Sequence, residues 1–73
     1  MIATIFIDGD KRFKIENTST VNGLSLPTEP NDFMNYVQHL IKEQHSLLIE
    51  TSTRKWLIPT SKISYIMFSS NNQ

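Results

Sequence analysis

Few residues of this chain are of the types that carry out chemistry, and their spacing argues against catalysis. The 73 residues include two histidines and no cysteine. His39 and His45 are six positions apart, so within a helix they would face different directions and would not form a preformed metal pair. Serine and threonine residues are scattered, without the pattern of a nucleophile elbow. We therefore expect a protein that is not an enzyme and needs neither a cofactor nor a metal.

Two carboxylates, Asp8 and Asp10, flank Gly9 directly after an apolar segment. The run Asp8-Gly9-Asp10 resembles the nucleophile motif of haloacid-dehalogenase-like phosphotransferases, in which one carboxylate attacks phosphorus and the other acts as acid or base. Those enzymes need a parallel sheet of several βα units, which this chain is too short to provide. It also has Lys11 where that family has a small hydroxyl or apolar residue. Because Asp and Gly are turn formers, the run predicts a hairpin turn.

The residues around this turn predict a first β-hairpin. Residues 2–7 are mostly β-branched or aromatic, and residues 12–16 alternate between polar and apolar, as strands do. A three-residue turn at 9–11 would place Ile7 opposite Phe13 and Ile5 opposite Ile15. All four side chains would then share one face of the hairpin.

A single helix is predicted in the middle of the chain. Residues 17–28 are rich in Ser, Thr and Asn and predict a long loop, with a turn at Asn22-Gly23 and room for a short edge strand. From Glu29 onward the apolar spacing becomes helical. Thr28 is the expected N-cap, and Pro30 is tolerated in the first turn. The face toward the core would consist of Phe33, Val37, Leu40 and Ile41.

A second hairpin and a last strand follow the helix. The polar break at residues 52–53 predicts a two-residue turn. The resulting register pairs Glu50 with Lys55, Ile49 with Trp56, Leu48 with Leu57 and Leu47 with Ile58. Pro59 cannot donate to a sheet ladder and should end that strand. Residues 63–68 predict the last strand.

The predicted order is ββαβββ, a small α+β domain over residues 1–68 with a flexible tail at 69–73. One helix would cover one face of a mainly antiparallel sheet. The covered layer would hold Ile5, Ile7, Phe13, Ile15, Leu47, Ile49, Trp56 and Ile58. A second apolar set would then remain on the far face, and we expect it to be a protein interface consisting of Phe6, Leu48, Leu57, Ile66 and Phe68. The alternative is that strongly twisted hairpins bury this set internally.

The small size and the uncovered face predict self-association. A 73-residue domain is near the limit at which one core gives adequate stability. Because the chain has no cysteine, it cannot form disulfides, and we expect homodimerisation to supply the additional stability. We also expect the chain to bind a second partner, which would be another, unidentified protein.

Nucleic-acid binding is the alternative function. Seven basic residues balance seven acidic ones, so no strong net field attracts DNA, RNA or an acidic membrane. Basic residues nevertheless cluster on the first hairpin at Lys11, Arg12 and Lys14, and on the second at Arg54 and Lys55. Nearby aromatic rings would offer stacking surfaces. On one sheet, however, the two hairpin turns would lie at opposite ends and the clusters would not merge.

Composition and hydropathy set the expected context. Richness in Ile, Lys, Asn, Ser and Thr resembles the products of AT-rich bacterial or phage genomes, in which short cysteine-free domains are often regulators, inhibitors or accessory factors. The longest apolar run is far short of a membrane span, and the N-terminus lacks the features of a signal peptide. We therefore expect a cytoplasmic accessory or regulatory module, such as a phage or mobile-element inhibitor, that binds its partner stoichiometrically.

Overall fold

The computed structural model describes residues 1–9 and 11–70. In chain order, its elements are β1 (Ile2–Ile7), β2 (Lys11–Glu16), β3 (Thr20–Val21), β4 (Leu24–Ser25), α1 (Pro30–Glu43), β5 (Ser46–Glu50), β6 (Lys55–Pro59), a 3-10 turn (Thr60–Lys62) and β7 (Ile63–Ser69). The predicted α+β class is confirmed, and so is the order of its principal elements. The short strands β3 and β4 are added between the first hairpin and the helix.

The strands form two antiparallel sheets. One has three strands in the order β2-β1-β7, and the other has four in the order β4-β3-β5-β6. The chain leaves the first sheet at a turn after β2, where the Ser19 amide donates to the Glu16 carbonyl at 2.9 Å. It then pairs β3 with β5, while β7 returns to β1. Each sheet therefore has its own inner and outer face.

The core lies between these sheets and the helix. The layer predicted for the inner face is largely confirmed: five of its members are buried, namely Ile5, Ile15, Leu47, Ile49 and Ile58. The other three, Ile7, Phe13 and Trp56, are partly buried against that core. The helix contributes Phe33, Val37 and Leu40, and the segment before it contributes Val21 and Leu26.

The register predicted for the first hairpin is wrong by two residues. The structure pairs Ile7 with Lys11 and Ile5 with Phe13. The turn thus begins directly after Ile7 and includes Gly9, whose φ of +85° suits glycine. Asp10 lies outside the described residues. Because the shift is an even number, the same side chains still face the core.

The predicted helix and its inner face are confirmed, but its N-cap is not the predicted one. Glu29 caps the helix, and its carboxylate accepts a hydrogen bond from the Asn31 amide at 2.9 Å. Thr28 lies one position too early, because Pro30 already occupies the first helical turn. Along the inner face, Phe33, Val37 and Leu40 are buried and Ile41 is partly buried.

The second hairpin has the predicted register. The pairs are Glu50 with Lys55, Ile49 with Trp56, Leu48 with Leu57 and Leu47 with Ile58. Strand β6 ends at Pro59, as expected. The last strand runs to Ser69, which pairs with Ile2, so the first residue of the predicted tail belongs to the sheet. Residues 71–73 of that tail lie outside the described part of the chain.

The predicted loop at 17–28 contains the β3–β4 hairpin. Asn22 and Gly23 both have positive φ, at 53° and 81°, as a two-residue turn between right-twisted strands requires. The Asn22 side chain also bonds to β5: its Oδ1 accepts from the Leu48 amide at 2.8 Å. The turn therefore fixes both the hairpin and its attachment to the four-stranded sheet.

Candidate interaction surface

The outer face of the three-stranded sheet carries an aromatic pair, in which Tyr65 is exposed and Phe6 is partly buried. The rings of Phe6 and Tyr65 are stacked, with centroids 4.5 Å apart and planes at 15°. Tyr65 is 61% exposed and Met67 is 49% exposed. We call the surface consisting of Phe6, Tyr65, Met67, Arg12 and Lys14 the Phe6 face.

Strand register explains how these residues come together. In the central strand, Phe6 lies opposite Arg12 on one side and Tyr65 on the other. Two residues away, Thr4 lies between Lys14 and Met67 in the same way. Residues opposite each other share a face, so an apolar band on β1 and β7 is bordered by two cations on β2. Thr4 is only 4% exposed, which shows that its larger neighbours cover the middle of this face.

Two of the predicted interface residues lie on the outer face of the other sheet. Leu48 and Leu57 are opposite each other on β5 and β6. Leu57 is 69% exposed. The next outward pair along these strands is an ion pair, in which Lys55 Nζ lies 3.6 Å from Glu50 Oε2. The outward residues of β5 and β6 on this second surface include no aromatic residue.

The other two residues predicted for the interface, Ile66 and Phe68, point inward. They pair with Ile5 and Ala3 of β1 and pack partly buried against the core. The Phe68 ring meets Phe33 of the helix edge-on, with centroids 6.3 Å apart. The five predicted residues are thus divided among two outer faces and the core, because the strands form two sheets where one was expected.

The two basic hairpins touch each other through their aromatic residues. Phe13 of β2 and Trp56 of β6 have ring centroids 4.7 Å apart, and the Arg54 guanidinium lies 5.9 Å from the Trp56 ring centre. The turns were expected at opposite ends of one sheet. Instead, β6 lies beside the first hairpin, and a groove of about 360 Å³ remains there, lined in part by Ile7, Phe13 and Trp56.

The basic side chains predicted as nucleic-acid contacts do not share one surface. Along β2, Arg12 and Lys14 alternate with the inward Phe13, so they belong to the Phe6 face, whereas Lys11 is exposed on the other side of the strand. On the second hairpin, Lys55 is paired with Glu50. These five cations are therefore divided between the two sheets.

Asp8 and Gly9 of the carboxylate motif are part of the turn. Asp8 accepts a hydrogen bond from the Ser64 hydroxyl at 3.0 Å, which ties the first hairpin to β7. His39 and His45 are both exposed. Within residues 1–9 and 11–70, no three His, Asp or Glu side chains are grouped closely enough to hold a metal ion. Over the same residues, no helix is long and apolar enough to cross a membrane.

No known protein family, curated protein or solved structure matches this chain. The predicted interface included Phe6 but neither Tyr65 nor Met67. The available signal was the period of two in β7, which places Tyr65 and Met67 on one side and Ile66 and Phe68 on the other.

Proposed function

We propose that this chain is a small, non-catalytic protein-binding module that engages a protein partner stoichiometrically through the Phe6 face. The observation that supports this proposal is the stacked Phe6–Tyr65 pair on a solvent-facing sheet surface. A folded domain that leaves a tyrosine 61% exposed beside a methionine 49% exposed keeps apolar area available for binding.

The residue types of the Phe6 face favour a protein partner. Aromatic residues, methionine and arginine are enriched at protein interfaces, and tyrosine and arginine are common hot spots. Here the apolar residues lie at the centre, and Arg12 and Lys14 lie at one border. A complementary partner would present an apolar patch with carboxylates along one edge. Binding of this kind needs no turnover and suits an accessory, regulatory or inhibitory role.

The test uses Tyr65→Ala with Leu57→Ala as its matched control. Both residues are large, apolar and exposed, at 61% and 69%, but they lie on different sheets. Proteins captured by the wild-type chain from cells that express it are identified, and the affinity of each purified candidate is measured. Loss of a hot-spot side chain costs about 2 kcal/mol, so Tyr65→Ala should weaken binding by roughly 30-fold, and Leu57→Ala should leave it unchanged. Equal losses, or a larger loss for Leu57→Ala, would contradict the assignment of this face.

Nucleic-acid binding is the second candidate function. It is favoured by the alignment of Arg12, Phe6 and Tyr65 on neighbouring strands of one sheet face. Aromatic rings beside cations on a sheet surface can stack on bases and neutralise phosphates. The zero formal net charge and the pairing of Lys55 with Glu50 argue against it.

A salt series with generic single- and double-stranded nucleic acid separates the two candidates. The protein-binding proposal predicts weak binding in this assay at physiological salt. Tight binding that falls steeply with salt, and that is lost when Arg12 and Lys14 are both replaced by alanine, would establish the nucleic-acid function instead. A matched variant with alanine at Lys42 and Lys62, which lie on other elements, controls for the general loss of positive charge.

A further inference from the structure

The four edge strands of the two sheets differ in how they are protected from pairing with another chain. Natural edges are blunted by charged side chains, by proline, or by being very short. Strand β2 carries four charged residues in six positions, β4 has two residues, and β6 begins with Lys55 and ends with Pro59. Strand β7, Ile63–Ser69, has seven residues with no charge and no proline. Of these edges, β7 alone has none of these three protections, and its β-bulge at Ser64 is confined to the N-terminal end of the strand.

The outer edge of β7 is also accessible. Among the described residues, β7 pairs only with β1, on one side. None of its seven residues is fully buried. The helix runs beside this edge, but a groove of about 390 Å³ separates the two, lined in part by Ile41, Lys42 and Ile66. In an antiparallel ladder, alternate residues direct N–H and C=O groups away from the existing partner. Strand β7 therefore offers a row of backbone groups to an added strand.

We propose that β7 pairs with β7 of a second copy of this chain, so that two three-stranded sheets join into one of six strands. The two copies would be related by a two-fold axis at Ile66, the middle residue of the strand. This register centres on residues 65–67, which lie in the regular part of the strand, beyond the β-bulge that leaves Ser64 without an opposite residue on β1. It also places Tyr65 of one copy opposite Met67 of the other, so that two exposed side chains on the same sheet face cover each other.

A second copy fits this edge because the strand is electrically neutral and self-complementary. No pair in the two-fold register brings like charges together, since β7 has no charged residue. After pairing, the free edges of the joined sheet are the two β2 strands, whose charges oppose further strand addition. The association therefore closes at the dimer, as a two-fold interface should.

This self-association is separate from the proposed partner binding. It depends on the backbone edge of β7 and on the contact between Tyr65 and Met67 across the two-fold axis, whereas partner binding depends on the outward surface of the whole Phe6 face. A chain that is strictly monomeric would refute the dimer and leave the proposed function standing. A chain that dimerises but captures no protein partner would refute the proposed function and leave the dimer standing.

The first experiment determines the mass in solution by sedimentation equilibrium at micromolar concentrations. We expect the wild-type chain to approach twice the monomer mass. The variant Tyr65→Lys/Met67→Lys should be monomeric, because the register places each introduced lysine opposite another. The matched control, Leu24→Lys/Leu57→Lys, replaces side chains that are 57% and 69% exposed with the same two charges on the other sheet, and should remain dimeric.

Mixing reciprocal variants tests the pairing itself. Tyr65→Glu/Met67→Glu should also be monomeric alone, and should form a heterodimer with Tyr65→Lys/Met67→Lys through opposite charges across the strands. A monomeric wild type, equal loss of the dimer in the control variant, or no heterodimer from folded variants would overturn the proposal.

Amide hydrogen exchange on the wild-type chain covers the case in which these variants do not fold. Protection of β7 should rise with protein concentration, while protection of β6 stays constant. A rise in β6 without one in β7 would place the interface elsewhere and refute the inference.

Discussion

Replacing Val37 by aspartate tests which face of the helix is turned toward the core and whether that core excludes water. Val37 is 0% exposed, whereas the neighbouring Gln38 is exposed. Aspartate is similar to valine in size, so the substitution leaves little cavity. Its main effect is to place a carboxyl group among apolar side chains without a hydrogen-bonding partner. Gln38→Asp introduces the same group one position away, in solvent, and is the matched control.

The magnitude follows from the ionisation of the introduced carboxyl group. Burial raises the pKa of such a group by up to about 3–5 units above its usual value near 3.9. At pH 7 the folded protein can avoid the buried charge by taking up a proton, which costs about 4 kcal/mol at 1.36 kcal/mol per unit. Loss of the buried valine adds roughly 1–3 kcal/mol. A domain of this size has a free energy of unfolding of about 4–11 kcal/mol. Val37→Asp should therefore lower the free energy of unfolding by about 5–7 kcal/mol at neutral pH, which is most of the stability expected of such a domain.

Urea unfolding followed by fluorescence of the single tryptophan, Trp56, measures this effect. Gln38→Asp should stay within about 0.5 kcal/mol of the wild type. Because the folded-state pKa of the introduced group is raised, its penalty is absent below the unfolded-state pKa and grows as the pH rises. The difference between the two variants should thus shrink by about 4 kcal/mol from pH 7 to pH 4. Equal destabilisation of the two variants, or a difference independent of pH, would refute the assigned helix face.

Two further predictions concern local contacts and use the same urea titration. Asn22→Ala should lower the free energy of unfolding by about 1–3 kcal/mol, because it removes the 2.8 Å hydrogen bond from the Leu48 amide and forces alanine to a positive φ. Asn22→Gly removes only the hydrogen bond, so it should lower the free energy of unfolding by less. Lys55→Ala should change stability by less than about 1 kcal/mol, since its ion pair with Glu50 is exposed, at 72% for the lysine side chain; a larger loss would show that this surface pair is important for folding.

The parts of the fold that depend on neighbouring residues could be predicted from the sequence. The second hairpin was predicted with its register because a two-residue turn and the alternation of both strands allow one consistent pairing. The helix and the face that it turns toward the core were predicted because its apolar residues recur at a regular helical spacing. The first hairpin was predicted with the wrong register, because a turn containing Gly9 between two Asp residues allows more than one three-residue turn.

The division into two sheets depends on pairing between distant parts of the chain. Strand β1 pairs with β7, from the opposite end of the chain, and β3 pairs with β5 across the helix. Strand β7 has apolar residues on both sides, so its pattern does not show which side faces the core. That choice follows from its register with β1, in which Ile66 lies opposite the buried Ile5. For the same reason, the sequence could name Phe6 as outward but could not place Tyr65 and Met67 beside it.

The proposed β7 pairing and the proposed use of the Phe6 face have a joint geometric consequence. Two antiparallel strands in one sheet, related by a two-fold axis, keep equivalent faces on the same side of that sheet. The Phe6 faces of both copies would therefore point in one direction, with the Tyr65 and Met67 residues of the two copies at the centre and Arg12 and Lys14 of each copy toward the outer edges. A dimeric or repetitive partner could engage both faces at once and gain affinity through effective concentration without any new contact. If so, Tyr65→Lys/Met67→Lys should weaken partner binding more than Tyr65→Ala does, because it removes both the dimer and the central contact.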